Sequence, residues 1–195
     1  MSLRLGILDR GHRFGTKLLF TMIRVVSRQP VPEALKLVMY RAGFYGTPMQ
    51  KVTQEAMRGP AAWSIGDREL MAAFVSKIND CEYCVRTHSE VSAKAYNDRA
   101  KVSATLADVE TAAIEEPLRA TLRMLRTLTR EHTVSADDMQ VLLAAGVSRE
   151  QITDALAVCF AFSTMNRLAE AFDFSIGTSE AFAAGAGYLL SRGYR

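Results

Sequence analysis

The chain has 195 residues, of which 49% are hydrophobic and 23% charged, a globular composition with enough apolar material for one domain or two small ones. With 12 Gly, 5 Pro and 3 Cys, collagen-like, linker-dominated and disulfide-scaffold architectures are excluded. The net charge of +3 conceals an asymmetry: residues 1–60 carry ten Lys/Arg against three acids, +7, while residues 61–195 carry fourteen against eighteen, −4.

Nearly every segment has a helical period. From Phe14 to Val26, the apolar residues Phe14, Leu18, Leu19, Met22 and Val25 recur at spacings of three and four. Pro30 and Pro32 interrupt, and helix restarts over Glu33–Tyr40. The Gly43–Pro48 cluster reads as a turn whose aromatics pack inward; helix resumes to Met57 and breaks at Gly59-Pro60. Ser64 with Asp67, Ser135 with Asp138 and Ser148 with Gln151 have the spacing in which side chains satisfy the first unpaired helix amides. They predict helices over Arg68–Ile78, about Asp137–Ala145 (stopped at Gly146) and Arg149–Phe172. Alternating strand patterns are almost absent, so the fold is all-α.

The longest apolar stretches, such as Ala155–Phe162, fall far short of the roughly 20 residues of a membrane span. Leu5–Val26 lacks the continuous apolar run of a signal peptide. A cytoplasmic protein without a membrane span is expected. The cations of the first 60 residues are dispersed, which suits a solvated or subunit-facing surface better than nucleic acid.

The chemistry concentrates between Arg68 and His88. Cys81, Cys84 and His88 stand at offsets of 0, 3 and 7, one face of a helix. Asn79-Asp80 supplies a break and an N-cap, which puts Cys81 in the first turn, where the positive helix end favours a thiolate. That end is worth about 0.3–1 kcal/mol, less than the roughly 1.36 kcal/mol of a tenfold change in acidity. Further help is needed. His88 can take a thiol proton, and a carboxylate on its other nitrogen would hold its tautomer; Glu69, twelve residues before Cys81, is the candidate.

A closed zinc site needs four ligands, and His12, His132 and Cys159 are each isolated; no metal and no other cofactor is expected. Cys159, inside an apolar run, reads as a small buried hydrophobe. The aromatics Phe14, Phe20, Tyr40, Phe44 and Tyr45 fit core packing, a subunit interface or a substrate pocket. Trp63 could shield the cysteines.

The pattern Glu69-x11-Cys81-x2-Cys84-x3-His88 on two consecutive helices resembles the alkylhydroperoxidase D group of the carboxymuconolactone decarboxylase superfamily. The resemblance covers residues from about 61 to 175. It implies an alkylhydroperoxidase D-like helical bundle, with residues 1–60 a helical extension packed on a core of residues 61–195. It also implies a thiol-dependent peroxidase acting on a small hydroperoxide. Cys84 would become a sulfenic acid, Cys81 would donate a proton and then condense with it, and Glu69 with His88 would relay protons. A lipoyl-like or thioredoxin-like dithiol would reopen the disulfide, and a homo-oligomer is expected. The helix end, in contrast, favours Cys81 as the more acidic thiol. Tyr83 stands where some members have His, and a phenol is no proton acceptor at neutral pH. A protein disulfide oxidoreductase and a non-catalytic redox sensor are the alternative readings.

Overall fold

The computed structural model describes residues 6–194, and among them there is no β-strand. Eleven α-helices follow in order: α1 Ile7–Arg10, α2 Phe14–Ser27, α3 Glu33–Tyr40, α4 Thr47–Arg58, α5 Ile65–Ile78, α6 Glu82–Tyr96, α7 Arg99–Ala107, α8 Glu116–Glu131, α9 Ala136–Ala144, α10 Arg149–Ala171 and α11 Ser179–Arg192. The all-α reading holds. The expected turn before Pro48 is a π-helical turn, Ala42–Gly46, and α4 starts directly after it. Proline lacks an N–H and so fits a first helical turn, where that donor would be unpaired.

α5 is the central element. Gly66 and every residue from Arg68 to Ser76 are buried, as expected of a helix enclosed on all sides. α6 packs beside it, and α8 and α10 close around it. Their core includes Leu70, Met71, Val75, Leu122, Leu125, Val158 and Phe162, with Ala56 and Met57 of α4. Each of the three predicted capping boxes forms: at Ser64 and Asp67, Ser135 and Asp138, and Ser148 and Gln151. They fix where α5, α9 and α10 begin. Arg68, buried inside α5, donates to the carbonyls of Ala56 (3.3 Å) and Gly59 (2.9 Å) at the end of α4, where a cation complements the helix dipole.

A smaller core lies to one side. Leu8 of α1 and Leu37 of α3 meet Cys81, Cys84, Ala169 and Phe174, with Tyr40, Tyr45, Tyr83 and Phe172 packed against them. Two of the five N-terminal aromatics, Tyr40 and Tyr45, thus pack against the core that holds the cysteines. Phe20 is buried, its ring 4.9 Å from that of His12, whereas Phe14 and Phe44 are exposed. Trp63 does not shield the cysteines. It belongs to the main core, and its indole N–H donates to the Gln151 carbonyl at 2.8 Å, pinning the start of α10. Cys159 is buried beside Thr129, as expected. No helix of the described residues is long and apolar enough to cross a membrane.

Removing the cap of the central helix tests this hierarchy. Ser64→Ala should lower stability by about 0.5–2 kcal/mol, read as a lower denaturant midpoint with an unchanged slope.

Candidate active site

The α5–α6 connection is three residues long, Asn79 to Cys81, and its geometry places the first cysteine. The Cys81 amide donates to the Ser76 carbonyl (3.0 Å) and the Asp80 amide to that of Lys77 (3.2 Å). Asp80 holds the left-handed conformation, φ 54°. This is a Schellman-type stop, with aspartate at the position where glycine is commonest and Asp or Asn is tolerated. The residue that completes it, Cys81, is also the N-cap of α6. The expected position in the first turn is corrected by one residue: Asp80 ends α5, and Cys81 takes the cap.

Both thiols are buried, Cys81 at 0% and Cys84 at 2% exposure, and neither is in a disulfide. The Cys84 S–H donates to the Cys81 sulfur, which draws the Cys81 thiol below its ordinary value; the Cys84 backbone N–H assists, against burial and the nearby Glu170 carboxylate. Giving up that same proton is what pushes the Cys84 thiol well up, and burial adds to it, while the Asn166 amide opposes. In the resting pair the charge is favoured on Cys81 and the proton on Cys84. Asn166 is itself fixed, accepting from Asn79 Nδ2 (3.0 Å) and donating to Ser76 Oγ (2.9 Å).

One helical turn beyond Cys84, His88 is buried with its ring 4.3 Å from that of Phe162. Its Nδ1 lies 2.7 Å from Glu69 Oε2. Glu69 is wholly buried, and its other oxygen accepts from Arg58 Nη2 (2.6 Å) and the Tyr194 hydroxyl (2.8 Å). Burial alone would raise the Glu69 carboxyl, but the hydrogen bond and charge of His88, then Arg58, outweigh it and hold the group below its ordinary value. An ionised carboxylate only accepts, so His88 Nδ1 carries a proton and Nε2 is left for exchange. Burial, then the Glu69 charge, push the Tyr194 phenol well up, so it stays a donor.

Three elements converge on this carboxylate. Arg58 ends α4, its guanidinium also donating to the Leu189 carbonyl (3.1 Å) near the end of α11 and lying 5.1 Å from the Tyr194 ring. Tyr194 arrives through a turn at Gly193, φ 69°. A Cβ there would come within 2.5 Å of Gln54 Oε1, the same oxygen that accepts the Tyr194 amide at 2.8 Å. Glycine is required on both counts.

The structure therefore joins Glu69 to His88 and Cys81 to Cys84, with Cys84 and His88 one turn apart on α6. Arg58, Tyr194, Asn166 and Glu170 were missed in the sequence. They lie outside the cysteine motif along the chain and have no fixed spacing to it, so nothing in the sequence singled them out. Tyr83 is not a base. Its ring packs edge-on against Phe174 (5.1 Å) and Phe182 (5.8 Å), and burial pushes its phenol up. No group of His, Cys, Asp and Glu among the described residues could hold a metal ion.

Residues 48–127 match the carboxymuconolactone decarboxylase family model. The fold is similar to that of a peroxidase-related protein of Silicibacter sp. TM1040, with 21% identity, TM-score 0.74, and 93% of this chain and 97% of that one covered. A peroxidase-related protein of Ralstonia eutropha JMP134 described as an alkylhydroperoxidase AhpD core is similar at 20% identity and TM-score 0.72, with 90% and 91% covered. The debrominase Bmp8, a cysteine-to-alanine variant in complex with 2,3,4-tribromopyrrole, is similar at 15% identity and TM-score 0.71, with 90% and 94% covered. No curated protein gave a significant match to the chain.

Two outcomes follow from this geometry. The lowered Glu69 group stabilises the fold above the ordinary carboxylate range, and that contribution is lost as pH falls through its folded-state value. Glu69→Gln should flatten this acid-side dependence and, by leaving Arg58 buried without its counter-charge, cost about 3–5 kcal/mol at neutral pH; chemical denaturation as a function of pH reads both. In an ultraviolet thiolate titration, Cys84→Ala should move the Cys81 transition to higher pH, while Cys159→Ser leaves it in place.

Proposed function

For a chain whose residues 48–127 match the carboxymuconolactone decarboxylase family model, we propose the activity of a thiol-dependent peroxidase that uses Cys81 and Cys84 as a redox pair. The observation that carries this reading is the buried, ionised Glu69 held 2.7 Å from His88, one helical turn from Cys84. A proton passes from Cys84 to the Cys81 thiolate along their hydrogen bond, leaving Cys84 as the nucleophile. The Cys84 sulfur attacks the terminal oxygen of a hydroperoxide, the O–O bond breaks, and the alkoxide takes the Cys81 proton. The products are an alcohol and the Cys84 sulfenic acid. The Cys81 thiolate then displaces hydroxide from that sulfur, closing the disulfide. The Glu69–His88 pair supplies the proton that turns hydroxide into water and takes one up when the pair is reduced again. The asymmetry of the two thiols supports this order, because it makes Cys81 the base that Cys84 needs. It also reconciles the acidity of Cys81 with the role that the resemblance gives Cys84.

Burial bears on the partners. Thiols at 0% and 2% exposure, walled by Leu8, Leu37, Tyr40 and Phe174, suit a small apolar hydroperoxide better than the cysteines of a folded protein, which weighs against a protein disulfide oxidoreductase. The same argument favours a slender lipoyl-like arm over a thioredoxin-like surface as the electron donor, which restores both thiols by exchange while its own dithiol closes to a disulfide.

The test is to treat the reduced protein with stoichiometric cumene hydroperoxide and follow free thiols over seconds. Two thiols per chain should disappear rapidly. Cys84→Ser should abolish the loss, Cys81→Ser, which removes both the base and the resolving thiol, should slow it and stall at the sulfenic acid, and Cys159→Ser should change nothing. His88→Gln should slow the reaction about 10²–10⁴-fold, the usual contribution of acid–base assistance. Thiol loss no faster than that of free cysteine would refute the peroxidase.

A further inference from the structure

We propose that α2 is a membrane-docking helix, which lies flat on an anionic lipid surface with its apolar stripe seated among the acyl chains. This goes beyond the dithiol chemistry and does not depend on it. On a helical projection Phe14, Leu18, Met22, Val25 and Val26 fall within a sector of about 120°. Their exposures are 84%, 63%, 56%, 71% and 80%. Scattered exposed apolar residues are ordinary, but a contiguous stripe of five on one helix is not. On the opposite side of α2, Phe20 is buried and meets the His12 ring edge-on, and His12 in turn meets the Tyr40 ring of α3 edge-on at 6.1 Å. The stripe lies on the side of α2 away from that contact.

Charge identifies what covers the stripe. From Arg10 to Pro32 the chain carries Arg10, Arg13, Lys17, Arg24 and Arg28 and not one acidic residue. Lys17 and Arg24 lie together on one flank of the stripe, where their long stems can follow the apolar surface and place the charges at headgroup level. An outward apolar face with cations beside it is the pattern of a helix lying in the membrane interface. Helices that face only water or another protein commonly mix both signs. A second copy pairing through the same stripe would bring ten cations together with no acid in the segment to balance them, and like charges brought face to face oppose association. Anionic phospholipid provides both what the stripe lacks, a hydrocarbon contact, and what its flank lacks, a counter-charge. No span is involved, since none of the described helices is long and apolar enough to cross a bilayer.

The experiment is co-sedimentation of the full chain with mixed phosphatidylserine–phosphatidylcholine vesicles and with pure phosphatidylcholine vesicles, at low and high salt. Light scattering of the vesicle-free protein runs alongside. Binding should require phosphatidylserine and weaken with salt. Lys17→Gln/Arg24→Gln should reduce it about 25-fold, at about fivefold per cation near an anionic surface. Leu18→Asp/Met22→Asp should abolish it, while Val141→Asp, at an exposed apolar position on α9, should leave it intact. Binding that survives Leu18→Asp/Met22→Asp would reduce the effect to general electrostatic adsorption and overturn the proposal. So would absence of vesicle binding, and in that case a smaller particle for Leu18→Asp/Met22→Asp would assign the stripe to a second copy of the chain.

Discussion

A carboxylate sealed inside a helical bundle is the constraint from which much of this structure follows. Glu69 sits on a helix enclosed along almost its whole length, so its side chain cannot bend out to water. An ion in that position costs several kcal/mol unless its oxygens are met by donors and an opposite charge. Arg58, His88 and Tyr194 meet them, and each comes from a different part of the chain. Satisfying one buried charge therefore fixes the end of α4, the register of α6 against α5 and the path of the C-terminal turn. A site of this kind cannot be altered without disturbing the packing, which is why the Glu69 network belongs to stability and to chemistry at once.

The dithiol is positioned by a second, electrically neutral network. Asn79, Asn166 and Ser76 form a hydrogen-bonded chain that ties the α5–α6 connection to α10, and Cys81 serves as the last residue of one helix stop and the cap of the next. Because both networks hang on the α5–α6 hairpin, the thiol pair and the imidazole keep a fixed relation without touching a flexible loop. The smaller apolar core from α1, α3 and the end of α10 then keeps bulk water from the sulfurs. In that environment the hydrogen bond between the thiols carries more weight than it would in solvent, and it decides which sulfur holds the charge.

Much of the framework was legible in the sequence because its signals are local. The Ser64, Ser135 and Ser148 boxes announce helix starts within four residues, Asn79-Asp80 announces a break, and the 0, 3, 7 spacing puts two thiols and an imidazole on one face. What escaped was the long-range complement. Arg58 reads as one cation among ten in a basic segment, and Tyr194 as a residue of the extreme C-terminus; neither has a sequence relation to Glu69, 11 and 125 residues away. Trp63 was misplaced for a similar reason, since its indole finds Gln151, 88 residues on. The N-cap was off by one because aspartate can take the left-handed turn that glycine usually takes. Periodicity identified the stripe of α2 but could not tell whether another element covers it.

The basic N-terminal third shows how little a net charge says until each residue is placed. Its +7 separates into roles with different physics. Arg58 has withdrawn from solvent, with a side chain only 8% exposed, and its charge acts at 2.6 Å on a single carboxylate, where salt barely screens it. Lys36 bridges Asp9 and Glu33 at 2.9 Å each, pinning α1 to α3 over the dithiol. Arg10, Arg13, Lys17, Arg24 and Arg28 face outward along a segment without acids, so their fields add and reach about one Debye length into solution at physiological salt. Composition alone would assign all of them to one surface. The structure divides them into a core ion pair, a strap and a surface field, and only the last responds strongly to ionic strength. Salt dependence is therefore the property that separates the outward-facing cations from the chemistry of the buried site.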